Sequence, residues 1–578
     1  MVFEVLLRTP FDGPWLSMQD PSAVLTARRS GDLRACLDAV EDAARGGSYV
    51  AGFLTYEAAA AFGLAVHEPR ANGLPLARFG IFPRQHVRRL EAPPLTAQEH
   101  PVSNWAPSVE REDYADALRR IKFHIAEGDT YQLNFTYRLR APFGGNAQGL
   151  FNDVVAAQAG AWSAYIDVGT HAICSASPEL FFSLRSGRIE CRPMKGTLPR
   201  AFSARDDVKQ RERLRGSEKN RSENVMIVDL VRNDLGRVAS VGSVSVRSLF
   251  DVERFPRQWQ MTSTVTADVR DVRLSDLFAA LFPSGSVTGA PKARSMEIIR
   301  ELEQEPRGVY TGAIGLIDPL GRAHFNVAIR TVVIDRVREE AEFGVGGGIV
   351  WESSAADEYE ECRTKAAILL NRDPAFELLE TLRWTPNEGY ALLDRHLERV
   401  SLSADYFALP CAVAEIGLAL QSAVAHRTCP AKVRLLVGRD GRPRCEVADL
   451  PARGADRVRT ALAAAPVSAD NVFLYHKTTQ RDVYEAARAS RPDADAVLLW
   501  NEAGEVTEGT DANVVVELGG RRVTPPVECG LLPGTMRADL LARGEIVEQL
   551  VTRADLRRAG QMWLINSVRG WVELELID

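Results

Sequence analysis

A lysine in the stretch CRPMKGTLPR, residues 191–200, is the first residue whose setting suggests chemistry. Lys195 lies between Pro-Met and Gly-Thr, and Pro199 and Arg200 close the stretch. A lysine in such a place can be a solvated surface charge, a group that binds an anion, or a nucleophile. The stretch alone leaves all three interpretations open.

Carboxylates occur at helical spacing in two further stretches. DEYEECRTKAAILL places Glu358, Glu361 and Lys365 three and four residues apart, so they share one helical face. Glu223 lies near the start of a second helical stretch, SENVMIVDLVRNDLG. Carboxylates that converge on one point favour a hard cation such as Mg²⁺. Taken singly, each is more simply a surface charge, and Glu361 with Lys365 is more simply an ion pair.

A glycine run interrupts a strand pattern in FGVGGGIV. Gly346, Gly347 and Gly348 would weaken a strand unless a ligand or another chain segment approaches closely. Backbone amides exposed in this way can hold an anion. A turn or bulge is the alternative for this run by itself.

The elements that must position these residues follow from hydrophobic periodicity. It predicts helices over 216–237 and 355–371, and strands over 262–269, 311–318, 327–335 and 341–350. The Pro-rich stretch 89–110 predicts a loop or linker. Asp373-Pro374 ends a helical stretch, so we place a domain boundary near 372, with domains 1–371 and 372–578.

Composition excludes several classes of protein. The 578 residues carry a net charge of −7, which gives no general attraction to nucleic acid or to an anionic membrane. No apolar run reaches the roughly 18 residues of a spanning helix, and the N-terminus lacks a secretory signal. The eight scattered cysteines form no CxxC pair, so we expect reduced thiols in a cytoplasmic protein.

The motifs of the first domain together resemble the chorismate-utilising enzyme family, over about residues 100–370. Residues 1–100 match only loosely. The resemblance implies an α+β domain of two stacked antiparallel sheets flanked by helices, with the site between them. The motifs occur in the family's order: GDTYQLN, SPELFF, PMKGTLPR, ENVMIVDLVRNDLG, SGSVTGAPKARSMEII, YTGAIG, GVGGGIV and EYEECRTKAA.

The resemblance also implies roles for particular residues. Glu223, Glu358 and Glu361 would bind Mg²⁺. Seven residues would hold chorismate: Tyr310, Arg330, Thr288, Gly346, Gly347, Gly348 and Lys365.

Lys195 gains a role by the same resemblance. Members that make anthranilate read P-I-A-G-T here, and members that make aminodeoxychorismate read P-I-K-G-T. The lysine, which must be uncharged to attack, would add to C2 of chorismate and expel the 4-hydroxyl, after which ammonia adds at C4. Where many relatives have a histidine in H-L-V-S, this chain has Gln260 in WQMTST, which cannot donate a proton as an acid at neutral pH.

The source of ammonia is not apparent in this sequence. A glutamine amidotransferase needs a nucleophilic cysteine, usually in a Gly-x-Cys-x-Gly turn, and none of the eight cysteines has that context. We therefore expect a separate glutaminase partner or free ammonia.

The second domain resembles fold-type IV pyridoxal phosphate enzymes, and among them most closely the aminodeoxychorismate lyases. The motifs are FELLETLRW, LLDRHLERV, LYHKTTQ, EVTEGTDANVVV and LLPGTMR. The resemblance implies a two-part α/β domain that forms homodimers. Its cofactor would be bound by Lys477, Glu508, Arg399, Thr535 and Asn513, and Thr381 would assist the elimination.

These resemblances together predict a bifunctional enzyme that makes 4-aminobenzoate for folate synthesis from chorismate and ammonia. Three alternatives stay open. The second domain could be a branched-chain or D-amino acid aminotransferase. The first domain could make anthranilate. One half could be a scaffold without catalytic activity.

Overall fold

The structure, a computed structural model, describes residues 2–9, 13–71, 73–94, 104–158, 161–369, 374–450 and 457–577. It divides into a first unit, residues 1–199 and 211–373, and a second unit, residues 200–210 and 374–578. The predicted boundary at 372 and part of the predicted loop 89–110 lie outside the described residues.

Two antiparallel sheets, each of ten strands among the described residues, form the first unit. The first sheet has the order Gly289–Ala290, Gln132–Pro142, Glu340–Ile349, Thr331–Asp335, His171–Ser177, Trp162–Asp167, Glu4–Arg8, Trp15–Met18 and Val87–Leu90, with Ala106–Pro107 beside Gln132–Pro142. The second has the order Met194–Pro199, Gln258–Asp268, Arg188–Arg192, Leu180–Arg185, Ala323–Val327, Ala313–Ile317, Tyr49–Leu54, Ala77–Phe82 and Ala23–Ala27, with Ser245–Arg254 beside Gln258–Asp268.

The two sheets pack face to face. One buried cluster contains Val5 and Ile166 from the first sheet and Phe53 and Ile314 from the second. Helices cover the outer faces in two further clusters. The predicted stacked α+β architecture is confirmed. The helices of this unit are Leu33–Arg45, Arg111–Ala126, Ala147–Gln158, Glu218–Gly236, Leu274–Leu281, Lys292–Leu302 and Ala355–Ala366, and Ala204–Gly216 begins in the segment 200–210.

Local sequence explains the two helices that carry the predicted carboxylates. Ser217 caps Glu218–Gly236 by accepting the backbone N–H of Asn220, and Ser354 caps Ala355–Ala366 in the same way. The predicted helix over 216–237 therefore begins two residues later. The predicted helix over 355–371 ends at Ala366, followed by a 3₁₀ turn.

The second unit has two sheets. One has the order Gly389–Tyr390, Leu378–Thr385, Ala431–Val437 and Pro443–Asp449, and it packs against helices Leu393–Phe407 and Val413–Val424. The other is mixed, with the order Val506–Gly509, Ala496–Trp500, Arg457–Leu462, Gly570–Leu576, Met562–Asn566, Asn513–Leu518, Arg521–Thr524 and Val547–Glu548. The remaining helices are Asp482–Ala489, Thr535–Ala542 and Arg553–Leu556. This two-part α/β arrangement agrees with the predicted fold.

Among the described residues, no helix combines the length and the apolar character that a membrane span requires.

Candidate active sites

A cavity of about 340 Å³ lies in the first unit. Strand Met194–Pro199, helix Glu218–Gly236, strand Glu340–Ile349 and helix Ala355–Ala366 contribute side chains to its wall. Ten of the residues predicted for the first site line it: Lys195, Glu223, Tyr310, Arg330, Gly346, Gly347, Gly348, Glu358, Glu361 and Lys365.

The backbone around Lys195 is held from two sides. Asn224 Nδ2 donates to the carbonyl of Lys195 at 3.2 Å, and Gln260 Nε2 donates to the carbonyl of Gly196 at 2.8 Å. The following threonine hydroxyl donates to Gln260 Oε1. Lys195 Nζ lies 3.6 Å from Glu223 Oε2. Gln260 therefore braces the strand that presents the amine.

The three predicted metal ligands line this cavity but are bonded to protein groups. Glu361 Oε1 lies 2.6 Å from Lys365 Nζ, and this attraction lowers the pKa of Glu361 to about 2. Burial raises the pKa of Glu358, which accepts a hydrogen bond from Ser353 Oγ. No group of three His, Cys, Asp or Glu side chains in the described part of the chain is placed to hold a metal ion. The three carboxylates themselves, Glu223, Glu358 and Glu361, are oxygen donors of the kind that Mg²⁺ prefers.

The glycine run is required by side chains that approach the strand. A Cβ at Gly348 would lie 2.3 Å from Lys195 Nζ and 2.9 Å from Gln132 Nε2. A Cβ at Gly347 would lie 2.9 Å from Glu358 Oε2. Both distances from Gly348 are shorter than real Cβ contacts, so any side chain there would displace the amine.

The three remaining residues predicted to bind substrate differ in position. The ring of Tyr310 packs on Gly344, where a Cβ would lie 2.2 Å from it. Arg330 has a left-handed φ of 52° and donates to the carbonyl of Lys365 at 2.8 Å, and burial lowers its pKa to about 10. Thr288 is fully buried, bonds to a backbone carbonyl and is not among the residues that line the cavity.

Two residues in and beside this cavity were not singled out by the sequence, although both lie in quoted motifs. Glu179, in SPELFF, lines the cavity at 3% exposure; burial raises its pKa to about 7, and Ser286 Oγ donates to it. Gln132, in GDTYQLN, is fully buried, and neither atom of its amide has a hydrogen-bond partner among the described residues. Only burial distinguishes them from surface residues.

A second cavity, of about 210 Å³, lies in the second unit. It is lined by every residue predicted for the cofactor and the elimination: Thr381, Arg399, Lys477, Glu508, Asn513 and Thr535. Burial, with a smaller contribution from Arg399, lowers the pKa of Lys477 to about 8. Its amine is therefore far more often uncharged at neutral pH than that of an ordinary lysine.

Glu508 lines the same cavity as this lysine and is held by three hydrogen bonds. Its Oε1 accepts from the hydroxyl of Tyr484 at 2.8 Å and from the backbone N–H of Leu532 at 3.0 Å, and its Oε2 accepts from Asn513 Nδ2 at 3.1 Å. Burial raises the pKa of Glu508 to about 7. Such a carboxyl can share a proton with a pyridine nitrogen.

A buried ion pair fixes the predicted phosphate ligand Arg399. Its Nε and Nη2 donate to the two oxygens of Glu380 at 2.8 and 2.6 Å. Burial alone would raise the pKa of Glu380, but Arg399 and His396 lower it to about 2. Thr535 begins helix Thr535–Ala542, whose first N–H groups suit an anion.

The residues present fit pyridoxal phosphate. A Cβ at Gly534 would lie 2.0 Å from Asn513 Oδ1, so a larger residue there would displace the Asn513 amide, which lines the cavity. Lysine, carboxyl and cation lie in one cavity, as the cofactor requires. Three further cations that the sequence did not single out also line it: Lys432, Arg481 and Arg569.

Comparison with known proteins agrees with both cavities. Residues 5–371, more than half of the chain, match the family model described as chorismate binding enzyme. The chain belongs to the chorismate-binding enzyme family. Residues 377–577 match the model of class IV aminotransferases, a fold that implies pyridoxal phosphate. The predicted resemblances to chorismate-utilising enzymes and to the pyridoxal phosphate enzymes of the class IV aminotransferase type are confirmed at the level of the family.

Curated relatives of the first unit include both aminodeoxychorismate synthase and anthranilate synthase components. Aminodeoxychorismate synthase component 1 of Klebsiella aerogenes is 41% identical over 293 residues, which are 50% of this chain and 64% of that protein. An anthranilate synthase component 1 of Haloarcula marismortui is 38% identical over 309 residues, 53% of this chain and 62% of that protein. The chain thus spans less than two thirds of the length of these curated relatives.

The fold also matches a solved structure. Anthranilate synthase component I from Streptococcus pneumoniae has a TM-score of 0.54 at 23% identity, over 64% of this chain and 92% of that one. This likeness shows the fold of the chorismate-binding unit alone.

Proposed function

We propose that this chain makes 4-aminobenzoate in two steps. The first unit would convert chorismate and ammonia into 4-amino-4-deoxychorismate. The second would eliminate pyruvate from that product. The observation that carries the proposal is the amine of Lys195, which faces Gly348 inside the cavity of a chorismate-binding unit. An alanine at this position, as in anthranilate-forming relatives, would leave no nucleophile.

The first step uses Lys195 as a nucleophile. Its uncharged Nζ forms a bond to C2 of chorismate, the two ring double bonds shift to C1–C6 and C4–C5, and the C4–O bond breaks. Ammonia then adds at C4, the double bonds return, and the C2–N bond to Lys195 breaks. The net change replaces the 4-hydroxyl by an amine and releases water.

Glu179 supports this step as the proton donor that Gln260 cannot be. The departing 4-hydroxyl leaves as water only if it receives a proton. Glu179, with a pKa of about 7, is about half protonated at neutral pH and lines the same cavity as Lys195. The amide of Gln260 is already engaged with the lysine strand.

Gln132 lies next to the amine of Lys195 but is not among the residues that line the cavity. Its buried, unpaired amide lies beside Lys195 above Gly348. Its nearer amide atom is the donor Nε2, and we assign it no role toward the ammonia that adds at C4. The component 1 relatives imply a partner glutaminase as the source of this ammonia.

Mg²⁺, when bound by Glu223, Glu358 and Glu361, would offset the charge of the substrate carboxylates. Arg330 and Lys365 lie in the same cavity and would hold carboxylate oxygens, while Tyr310 closes one wall. These contacts orient the ring so that C2 faces Lys195.

In the second unit, pyridoxal phosphate supplies an electron sink when bound. Lys477 would hold it and, once released, remove the proton from C4 of aminodeoxychorismate. Glu508 would keep a proton at the pyridine nitrogen, and Arg399 and Thr535 would hold the phosphate. Thr381 lies in the same wall and would assist cleavage of the C3–O bond. The ring becomes aromatic, and the leaving enolpyruvate takes a proton to give pyruvate.

We further propose a cytoplasmic homodimer that associates through the second unit and binds neither nucleic acid nor membrane. The net charge of −7 supports the absence of nucleic-acid and membrane binding. Sedimentation of the purified protein as a monomer would contradict the dimer.

The experiment separates the two steps. Purified protein is incubated with chorismate, ammonium, Mg²⁺ and pyridoxal phosphate, and the products are resolved by chromatography. Lys477→Ala is expected to accumulate aminodeoxychorismate, and Lys195→Ala to leave chorismate unconsumed. Formation of anthranilate, or of amino acids from 2-oxo acids by the second unit, would refute the assignment of the corresponding half.

A further inference from the structure

The second unit contains a segment from the first half of the chain, Arg200–Gln210. The family model for chorismate binding enzymes covers this segment, and nothing in the motifs indicates that it packs with residues 374–578. It directly follows strand Met194–Pro199. Its contacts within the second unit converge on the loop that carries Lys477.

A buried ion pair fixes the start of the segment. Arg200 Nε and Nη2 donate to Asp207 Oδ2 at 2.9 and 2.6 Å, and Nη1 donates to the carbonyl of Tyr406 at 2.8 Å. The guanidinium also lies 3.8 Å from the centre of the Tyr406 ring. Because Arg200 and Asp207 are both buried, these charge-assisted bonds hold one conformation.

Phe202 contacts the two residues that precede Lys477. Its ring stacks on Tyr475, with centroids 5.8 Å apart. Its carbonyl lies 3.0 Å from His476 Nε2, while His476 Nδ1 lies 2.9 Å from Ser403 Oγ. A carbonyl can only accept, so Nε2 carries the hydrogen and the serine hydroxyl donates to Nδ1. This defines one tautomer and one ring orientation for His476.

The other side of the lysine is anchored to a strand. Leu379 N–H donates to the carbonyl of Lys477 at 2.9 Å, and Thr479 N–H donates to the carbonyl of Glu377 at 2.9 Å. The backbone of Lys477 is therefore bonded to strand Leu378–Thr385, which also carries Thr381. The two residues before Lys477 are held by Phe202.

We propose that Arg200–Gln210 is a positioning element for Lys477, contributed to the second active site by the first half of the chain. The role rests on the proposed function of Lys477. Phe202 packs against the cluster that contains Tyr484, whose hydroxyl donates to Glu508, so the segment supports both the lysine and the carboxyl in the same cavity. The second active site is then incomplete without residues encoded within the chorismate-binding half.

The first test uses Phe202→Ala in the 578-residue chain without cofactor. Hydrogen–deuterium exchange of the peptide 472–480 is expected to be at least tenfold faster than in the unmodified protein. The matched control is Val208→Ala, in the same segment but 45% exposed, and it is expected to change nothing. Titration with pyridoxal phosphate, followed by absorbance, is expected to give a Kd at least tenfold higher for Phe202→Ala than for the unmodified protein. The Kd of Val208→Ala is expected to be unchanged.

A second pair of variants guards against loss of folding. His476→Phe keeps a ring but removes the donor to the Phe202 carbonyl, and His476→Gln keeps a donor. We expect weaker cofactor binding in the first and partial recovery in the second. Unchanged exchange and an unchanged Kd in Phe202→Ala and His476→Phe would overturn the proposal. If the unmodified protein does not bind pyridoxal phosphate, the proposed function fails, while the exchange experiment still tests the positioning.

Discussion

Gly348→Ala is expected to move the amine of Lys195 while changing the stability of the fold only slightly. The added Cβ would lie 2.3 Å from Lys195 Nζ, whereas ordinary contacts begin at 3.4 Å. The amine must therefore move by about 1.1 Å. Because it is the end of a flexible side chain, the fold can absorb this movement, with a change in unfolding free energy of about 1 kcal/mol or less.

The activity is expected to fall much further. A misplacement of about 1 Å costs roughly 100-fold in rate, or about 2.7 kcal/mol of transition-state stabilisation. The assay is chorismate consumption with saturating ammonium and Mg²⁺, with thermal unfolding measured on the same samples. Elimination of pyruvate from supplied aminodeoxychorismate is expected to stay unchanged, because the second cavity contains none of these residues.

The matched control is Gly236→Ala, at the end of the helix that carries Glu223, where an added Cβ meets nothing within 4 Å. It is expected to keep full activity. If Gly348→Ala consumed chorismate at the unmodified rate, or lost activity only by unfolding, the placement of Lys195 above Gly348 would be refuted.

Three further outcomes are expected. Glu179→Gln should slow the first step and remove the loss of rate above about pH 7 that follows from deprotonation of this carboxyl. A variant whose rate still falls above about pH 7 would exclude Glu179 as the proton donor. Gly534→Ala, whose Cβ would lie 2.0 Å from Asn513 Oδ1, should displace the Asn513 amide and raise the Kd for pyridoxal phosphate without changing chorismate consumption. Equal affinity would contradict this close contact. Because burial lowers the pKa of Lys477 to about 8, its uncharged fraction and the rate of cofactor uptake should rise with pH to half-maximum near 8; a rate still climbing steeply at pH 10 would disprove that shift.

The sequence predicts the fold and most of both cavities because their residues lie in short, locally ordered motifs. The run Gly346, Gly347 and Gly348 and the helical pair Glu358 and Glu361 are visible as spacing alone. Their convergence is not, because strand order in a ten-stranded sheet depends on pairings distant in sequence.

What the sequence does not reveal depends on burial and on partners. Glu179, between strands His171–Ser177 and Leu180–Arg185, resembles any surface carboxylate until burial raises its pKa. Arg399 is a candidate phosphate ligand by motif, but its partner Glu380 lies 19 residues away and is found only in the structure. Thr288 was predicted to bind substrate, yet its hydroxyl bonds to a backbone carbonyl. The packing of Phe202 with Tyr475 has no sequence signal at all.

The most direct test of the central claim uses ¹⁵N-labelled ammonium with chorismate and counts the products. The account expects ¹⁵N in 4-aminobenzoate and one pyruvate for each molecule formed, with both products abolished by Lys195→Ala. Label in 2-aminobenzoate, or persistent aminodeoxychorismate with no pyruvate from the unmodified protein, would contradict it.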